Sequence, residues 1–422
     1  MKLLISTPIR FQMTPDGRIW ARQDADGYAF WTRYLAAFDR VTLLARVRRV
    51  AAPSTGWVRA DGERVTNAAV PDYVGPFQLM RNWFPVRRAV RSAVDSADAI
   101  ILRLPCNIGA LVWWSVANGH PYGVEVVADP EAALSPGSIE AHLLPVWRRL
   151  LPFYLRKICL GATAAAYVTR YALQRLYPPN RNTFATSYAD VMTTHYSSTK
   201  LRRSLITDAS RAYSADQKVY RVITVGAMDL LYKAQEILIK ACALCVQRGL
   251  DLRLTLVGEG KMRGGLEILA AELGMAGRTT FTGQLTTEQQ ITDALDKADL
   301  FALPSRAEGL PRAMIEAMAR GLPCIGTNIG GIPELISSDC LVAPNDAPAL
   351  AAKIHEVLTD PARMAQLSRE NLERVADYTE EVLRSRRQSF YNHVISETAR
   401  WNGRKLAPPQ SGKALDANAG VQ

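Results

Sequence analysis

Short apolar runs alternate with amphipathic stretches through most of this chain. Residues 2–6 read as a buried strand that ends at Thr7-Pro8. Residues 30–38 carry a helical pattern, and residues 41–45 read as a further strand. Residues 99–102 and 124–128 are mostly apolar and bounded by turn signals, as strands covered on both faces are. Helical segments lie between them. This alternation predicts a doubly wound parallel sheet.

The character changes over residues 193–217, which carry Ser, Thr, Tyr and Arg with little periodicity. A second and cleaner alternation follows. Strands are expected at 219–225, 252–257, 279–281, 300–303 and 323–326, and most close on Gly226, Gly258, Gly283 or Pro304. Helices are expected at 233–248, 264–273, 288–298 and 312–320. The fold class is therefore α/β, with two Rossmann-like doubly wound domains facing a central cleft. The expected boundaries are residues 1–200 for the first domain, 201–217 for a linker and 218–380 for the second domain. Residues 381–401 form a helix able to cross back to the first domain. Residues 402–422, polar and rich in Gly, Pro and Ala, read as a disordered tail.

Composition agrees with two domains. The chain has 422 residues, 48% of them hydrophobic, which suffices for two cores. Charge is placed unevenly. Residues 1–214 hold 27 Lys/Arg against 15 Asp/Glu, and the remainder hold 24 against 25. A basic half suggests an anionic partner: lipid, nucleic acid or a phosphorylated substrate. Six cysteines in a chain this long do not read as a disulfide framework, and Cys242 and Cys245 fall within an apolar helical stretch. They read as reduced core thiols. No signal peptide is visible, and no run reaches the roughly 18 apolar residues of a membrane span. A cytoplasmic enzyme is expected.

Candidate chemistry concentrates in residues 304–334. Glu308-Gly309-Leu310-Pro311-Arg312 precedes a helix that contains Glu316. Pro311 suits the first turn, and the free N–H groups there make an anion site fit for a pyrophosphate. Two carboxylates so placed can accept the vicinal hydroxyls of sugars. The same residues also suit a helix-capping Glu308 and a solvated Glu316. Gly330-Gly331 marks a tight loop at another strand end, with Glu334 beyond Pro333.

This segment resembles the signature of the retaining GT-B glycosyltransferases of family 4, the "group 1" transferases. Their pattern of Glu, seven residues and Glu matches Glu308 and Glu316. The resemblance implies that Glu308 binds donor-sugar hydroxyls and Glu316 the nucleotide ribose, with Gly309 and Leu310 as further donor contacts. It also covers the loop from Gly226 to Lys233. There the family carries an Arg after the Gly and a Lys six residues later, both on the donor diphosphate. Lys233 matches the Lys; Ala227 stands where the Arg is expected. Arg312 is the candidate replacement cation. Gly258, Gly283 and Leu285 match strand-end loops that line the nucleobase pocket in relatives. In the first domain the match is poorer. Thr7-Pro8-Ile9-Arg10 replaces the usual Gly-Gly loop, and Ala128-Asp129 replaces a His-Asp, leaving Asp129 as the candidate acceptor-side carboxylate.

The resemblance implies a nucleoside diphosphate sugar as donor and a glycan or lipid-linked acceptor in a bacterial surface polysaccharide pathway. No Asp-x-Asp triad occurs, so no metal ion and no cofactor are expected. Two basic, aromatic clusters suit an anionic membrane surface: Arg81 to Arg91 around Trp83 and Phe84, and Trp147 to Lys157 around Phe153 and Tyr154. A peripheral position on the inner face of the membrane follows. The alternatives are a GT-B sugar-nucleotide epimerase, a nucleic-acid-binding protein and an NAD-linked oxidoreductase. No recognised nucleic-acid module is visible, and the first βα turn lacks the dinucleotide glycines.

Overall fold

A computed structural model describes residues 1–23, 26–116, 119–130, 144–191 and 219–406. The expected linker lies outside the described residues. Nine strands build the first sheet: β1 (Lys2–Met13), β2 (Ile19–Ala21), β3 (Arg40–Arg49), β4 (Val58–Arg59), β5 (Val65–Pro71), β6 (Ala99–Leu104), β7 (Gly123–Val126), β8 (Ala164–Tyr167) and β9 (Phe184–Ser187). Seven run parallel in the order β5-β3-β1-β6-β7-β8-β9. The far end of β1 stays paired with β3 and on its other edge pairs antiparallel with β2, which pairs with β4. Strands β6, β7 and β8 are buried along their whole length. Each fully buried aliphatic side chain there contributes about 1.5–3 kcal/mol.

Six strands build the second sheet: β10 (Tyr220–Val225), β11 (Leu252–Val257), β12 (Thr279–Gly283), β13 (Leu300–Leu303), β14 (Cys324–Thr327) and β15 (Leu341–Val342). All neighbours run parallel, in the order β12-β11-β10-β13-β14-β15. The order reverses between β10 and β13. In doubly wound folds that reversal opens a crevice at the carboxyl ends of the strands. The helix Glu380–Leu406 crosses to the first sheet. Its Tyr391 ring lies 5.1 Å from Tyr34 and 5.9 Å from Phe38, and Phe390 and Val394 press on Gly123.

Four details differ from the sequence reading. Strand β1 does not end at Thr7-Pro8. Its register on β3 shifts between Ser6 and Arg10, and Pro8 falls in that irregularity, where no ladder N–H is required. The helix expected over 30–38 is an α-helix, Tyr28–Thr32, followed by a 3-10 turn, Arg33–Ala36. Lys233 does not start a helix. It ends a 3-10 turn, Leu231–Lys233, and Ala234 at φ 53° then redirects the chain into the helix Gln235–Gln247. The expected tail begins too early, because the last helix runs through residues 402–406. It is anchored just before them by Trp401, whose ring lies tilted against His120 with centroids 4.4 Å apart. The cysteines are all free, and all but the half-buried Cys106 are buried.

Candidate active site

The loops leaving β10 and β13 meet across the crevice. Lys233 Nζ donates to Glu308 Oε1 at 2.7 Å, and Ser305 Oγ donates to the same oxygen at 2.6 Å. Thr327 Oγ1, from the end of β14, donates to the Ser305 carbonyl at 2.6 Å. Burial disfavours the Lys233 ammonium, but the Glu308 carboxylate outweighs that and holds its pKa above the usual lysine value. Glu308 and Lys233 are both largely buried.

Sequence reasoning missed the brace on Lys233. Arg306 donates to the Leu231 carbonyl, to Glu236 and, at 2.6 Å, to Asn345 Oδ1. Its own N–H donates to the Tyr232 carbonyl at 2.7 Å. One guanidinium therefore pins the turn that presents Lys233. The signal was a further cation beside the Glu308 motif.

The helix Arg312–Ala319 starts where expected, with Pro311 as its N-cap residue rather than inside the first turn, and with no side-chain cap. Met314 N donates to the Pro311 carbonyl at 3.2 Å, so only the N–H groups ahead of it can serve an anion. Glu316 is half-buried, and its carboxylate accepts no hydrogen bond among the described residues. Burial raises its pKa; Arg312 opposes this and Glu288 adds to it. Arg312 is half-buried at the start of this helix, and its charge bears on Lys233, Glu316 and Asp190. Leu310 is buried beside Glu308.

Gly226, Gly258 and Gly283 stand at the carboxyl ends of the adjacent strands β10, β11 and β12. Gly226 N donates to the Val257 carbonyl at 2.9 Å, and Gly258 N to the Gly283 carbonyl at 3.0 Å. Gly258 has φ +142°, and a Cβ there would stand 2.0 Å from the Gly226 carbonyl oxygen. Only glycine lets these two turns approach so closely. Leu285 follows Gly283 and packs partly buried against the core.

The first domain closes on this site. A Cβ on Gly309 would lie 2.4 Å from the Val127 carbonyl oxygen, so the Glu308 loop rests directly on the chain leading to Asp129. Tyr177 Oη donates to Asp129 Oδ1 at 2.7 Å. Asp129 therefore lies at the edge of the crevice, oriented by a tyrosine.

A second charged cluster was not read from the sequence. Arg103 on β6 donates to Glu125 on β7 at 2.9 Å and pairs with Asp190. Tyr34 and Tyr188 hydroxyls donate to Glu125 at 2.7 and 2.6 Å, and Arg33 donates to Asp190 at 3.0 Å. Burial pushes the Asp190 pKa up, but Arg103 and Arg33 more than reverse it and hold it well below the carboxylate range. The available signal was one charged residue inside each of two otherwise apolar strands, a placement that requires a partner.

Among the described residues no group of three His, Cys, Asp or Glu stands close enough to hold a metal ion.

Residues 219–360, which hold Lys233, Glu308 and Glu316, match the family model described as "Glycosyl transferases group 1". This segment is similar to the group 1 glycosyltransferases. Protein CapJ of Staphylococcus aureus is 26% identical over 381 residues, covering 88% of this chain and 91% of CapJ. The amylovoran biosynthesis glycosyltransferase AmsK of Erwinia amylovora is 36% identical over 129 residues, covering 28% of this chain and only 31% of AmsK. Among solved structures, Anabaena HepE in complex with UDP-glucose aligns with a TM-score of 0.58 at 18% identity, over 96% of this chain and 100% of that chain. That likeness is one of fold: two Rossmann-like sheets in the GT-B arrangement.

Proposed function

We propose that this glycosyltransferase moves a hexose, with retention, from a nucleoside diphosphate sugar to a glycan or lipid-linked acceptor in bacterial surface polysaccharide synthesis. The observation that carries the donor side is the Lys233–Glu308 pair at the switch point of the second sheet. An ammonium has three donors, and Glu308 engages one of them. The others can meet the diphosphate and stabilise the charge that develops as it departs. Glu308 uses Oε1 for Lys233 and Ser305, so Oε2 is the oxygen offered to the sugar hydroxyls. Glu316 takes the ribose. Arg312 supplies the cation that Ala227 cannot. The glycine turns at Gly226, Gly258 and Gly283, with Leu285, border the base. Asp129 faces the acceptor. The departing phosphate accepts the acceptor proton, and the protein supplies placement and charge without a metal ion. The UDP-glucose bound by HepE and the amylovoran pathway of AmsK agree with this assignment.

The test is a thermal-shift panel of UDP-, GDP- and ADP-sugars, followed by the anomeric configuration of the product. A ligand at a hundred times its Kd stabilises by about 2.7 kcal/mol. No shift with any of them overturns the donor reading. Conversion of the sugar nucleotide without an acceptor makes the chain an epimerase. An inverted product overturns retention alone.

We further propose a cytoplasmic enzyme held peripherally on an anionic membrane. No helix among the described residues is long and apolar enough to cross a membrane. The helices Gly75–Arg81, Trp83–Asp95, Asn107–Ser115 and Leu144–Gly161 adjoin in sequence order. They expose Phe77, Met80, Phe84, Trp114, Phe153 and Tyr154. Trp114 joins the two clusters, with its ring 6.2 Å from Trp83, while Trp113 lies 6.5 Å from Tyr154. Arg81, Arg87, Arg88 and Arg91 are exposed beside them. At about 1 kcal/mol for each cation near an anionic surface, these four give reversible binding. Changing them together to Ser should release the protein from anionic vesicles and leave nucleotide affinity intact. Failure of the wild-type protein to sediment with anionic vesicles at low salt rejects the surface.

A further inference from the structure

The Glu308 loop is tied to the first domain by a carboxylate that no part of the donor site requires. Glu334 lies in the short helix Ile332–Leu335, just after the Gly330-Gly331 loop. Its carboxylate accepts three consecutive backbone N–H groups of the other domain: Arg170 at 2.5 Å on Oε2, and Tyr171 at 2.9 Å and Ala172 at 2.7 Å on Oε1. Charge-assisted bonds of this kind are roughly twice as strong as neutral ones.

Both ends of this contact are braced. On the receiving side, Thr169 Oγ1 accepts the Leu173 N–H at 3.0 Å, and Gln174 Nε2 donates to the Thr169 carbonyl at 2.5 Å. Arg170 pairs with Asp377 at 2.7 Å, which fixes the segment to the chain entering the crossing helix. On the giving side, Gly331 N donates to the Gly309 carbonyl at 2.7 Å. A Cβ on Gly331 would meet that oxygen at 2.6 Å, and Thr169 Cγ2 at 2.9 Å. The glycine loop is thus wedged between Gly309 and Thr169. Any separation of the domains that pulls Glu334 off its three N–H groups also withdraws the support behind Gly309, the neighbour of Glu308.

We propose that Glu334 is a positioning residue, an interdomain latch whose engagement sets Glu308 against the acceptor side of the cleft. It touches neither donor nor acceptor. Its effect is to couple closure of the domains to placement of the sugar. The inference rests on the donor reading above for its kinetic consequence, but its structural consequence is independent of that reading.

The experiment compares the wild-type chain with Glu334→Gln, which keeps the shape and loses the charge. Small-angle scattering without ligand should show a larger radius of gyration for the variant. In sugar transfer, kcat should fall on the order of tenfold to a hundredfold, as a small misplacement of reacting groups does. The Kd for the nucleoside diphosphate should stay within about twofold, since the donor contacts are untouched. Asp377→Asn loosens the receiving segment from its far side and should give a smaller fall in kcat with the same unchanged Kd. It decides the matter if Glu334→Gln does not fold. Unchanged scattering and kcat in the variants overturn the latch, as does a loss of nucleotide affinity equal to the loss of kcat. A wild-type protein that binds no nucleoside diphosphate overturns the donor reading instead, and the scattering comparison then judges the latch by itself.

Discussion

Two clusters of buried charge stand out among the described residues, one in each domain, and they are built in opposite ways. Arg33, Arg103, Glu125 and Asp190 balance two cations against two anions. Glu125 accepts from Arg103, Tyr34 and Tyr188, and Asp190 from Arg33 and Arg103. Within it the Nε atoms of Arg33 and Arg103 are left without partners, but every carboxylate is satisfied. In the other domain Lys233 and Glu308 share one contact, and Glu316 accepts nothing among the described residues. A closed set of charges can only hold a fold together. An open set, kept in place by Arg306 and Ser305, can hold something else.

That contrast breaks if the first cluster proves dispensable. Arg103→Ala strands Glu125 and Asp190 with half their counter-charge in a buried site. The expected cost is about 3–5 kcal/mol, the largest in the molecule, read as a shift of the urea unfolding midpoint. A loss below about 1 kcal/mol, the range of exposed ion pairs, removes the distinction between the clusters.

The complementary variant is Lys233→Ala. Turnover should fall about 10²–10³-fold, as when one preorganised donor is removed from a developing negative charge, while the unfolding midpoint moves far less. Glu316→Ala should act on the donor Michaelis constant instead, since a hydrogen bond to a charged group is worth about 1.5–3 kcal/mol. A large stability loss with little kinetic effect in either variant would place these residues with the structural cluster.

The two clusters also differ in how legible they were. Lys233, Glu308 and Glu316 fall in two short segments whose spacing carries the family pattern, so a linear reading finds them. The alternation of strands gave both sheets, because buried parallel strands are continuous apolar runs. Arg33, Arg103, Glu125 and Asp190 come from four distant segments and meet only when the sheet forms. Each alone is a single charge with no local partner. The latch was hidden for the same reason: Glu334 finds its partners in backbone N–H groups, which have no side-chain signature. The last helix was misjudged at its end because Asn402 and Gly403 suggest a stop, whereas the tilted contact of Trp401 with His120 holds the helix against the first domain.

The smallest effect is also the sharpest discriminator, because the two carboxylates lean opposite ways with pH. Burial raises the Asp190 pKa, but Arg103 and Arg33 override it and leave it below its unfolded value, which is about 3.9 for an aspartate. The unfolded chain then binds more protons, so this group's stabilisation is fully present above that value and is lost as pH falls through the folded pKa. Burial raises the Glu316 pKa, Arg312 only partly opposing it. Here the folded chain binds more protons. Its contribution is fully present below the unfolded value, about 4.3 for a glutamate, and is lost as pH rises through the folded pKa. Unfolding free energies measured from about pH 3 to pH 7 should therefore show Asp190→Asn falling further below wild type as pH rises. Glu316→Gln should climb toward or above wild type over the same interval, because it removes a half-buried charge that no hydrogen bond among the described residues offsets. The same Glu316→Gln protein should bind the donor more weakly at pH 7. Greater stability joined to poorer binding is the mark of a charge kept for a ligand, and parallel slopes in the two variants would assign Glu316 to the fold instead.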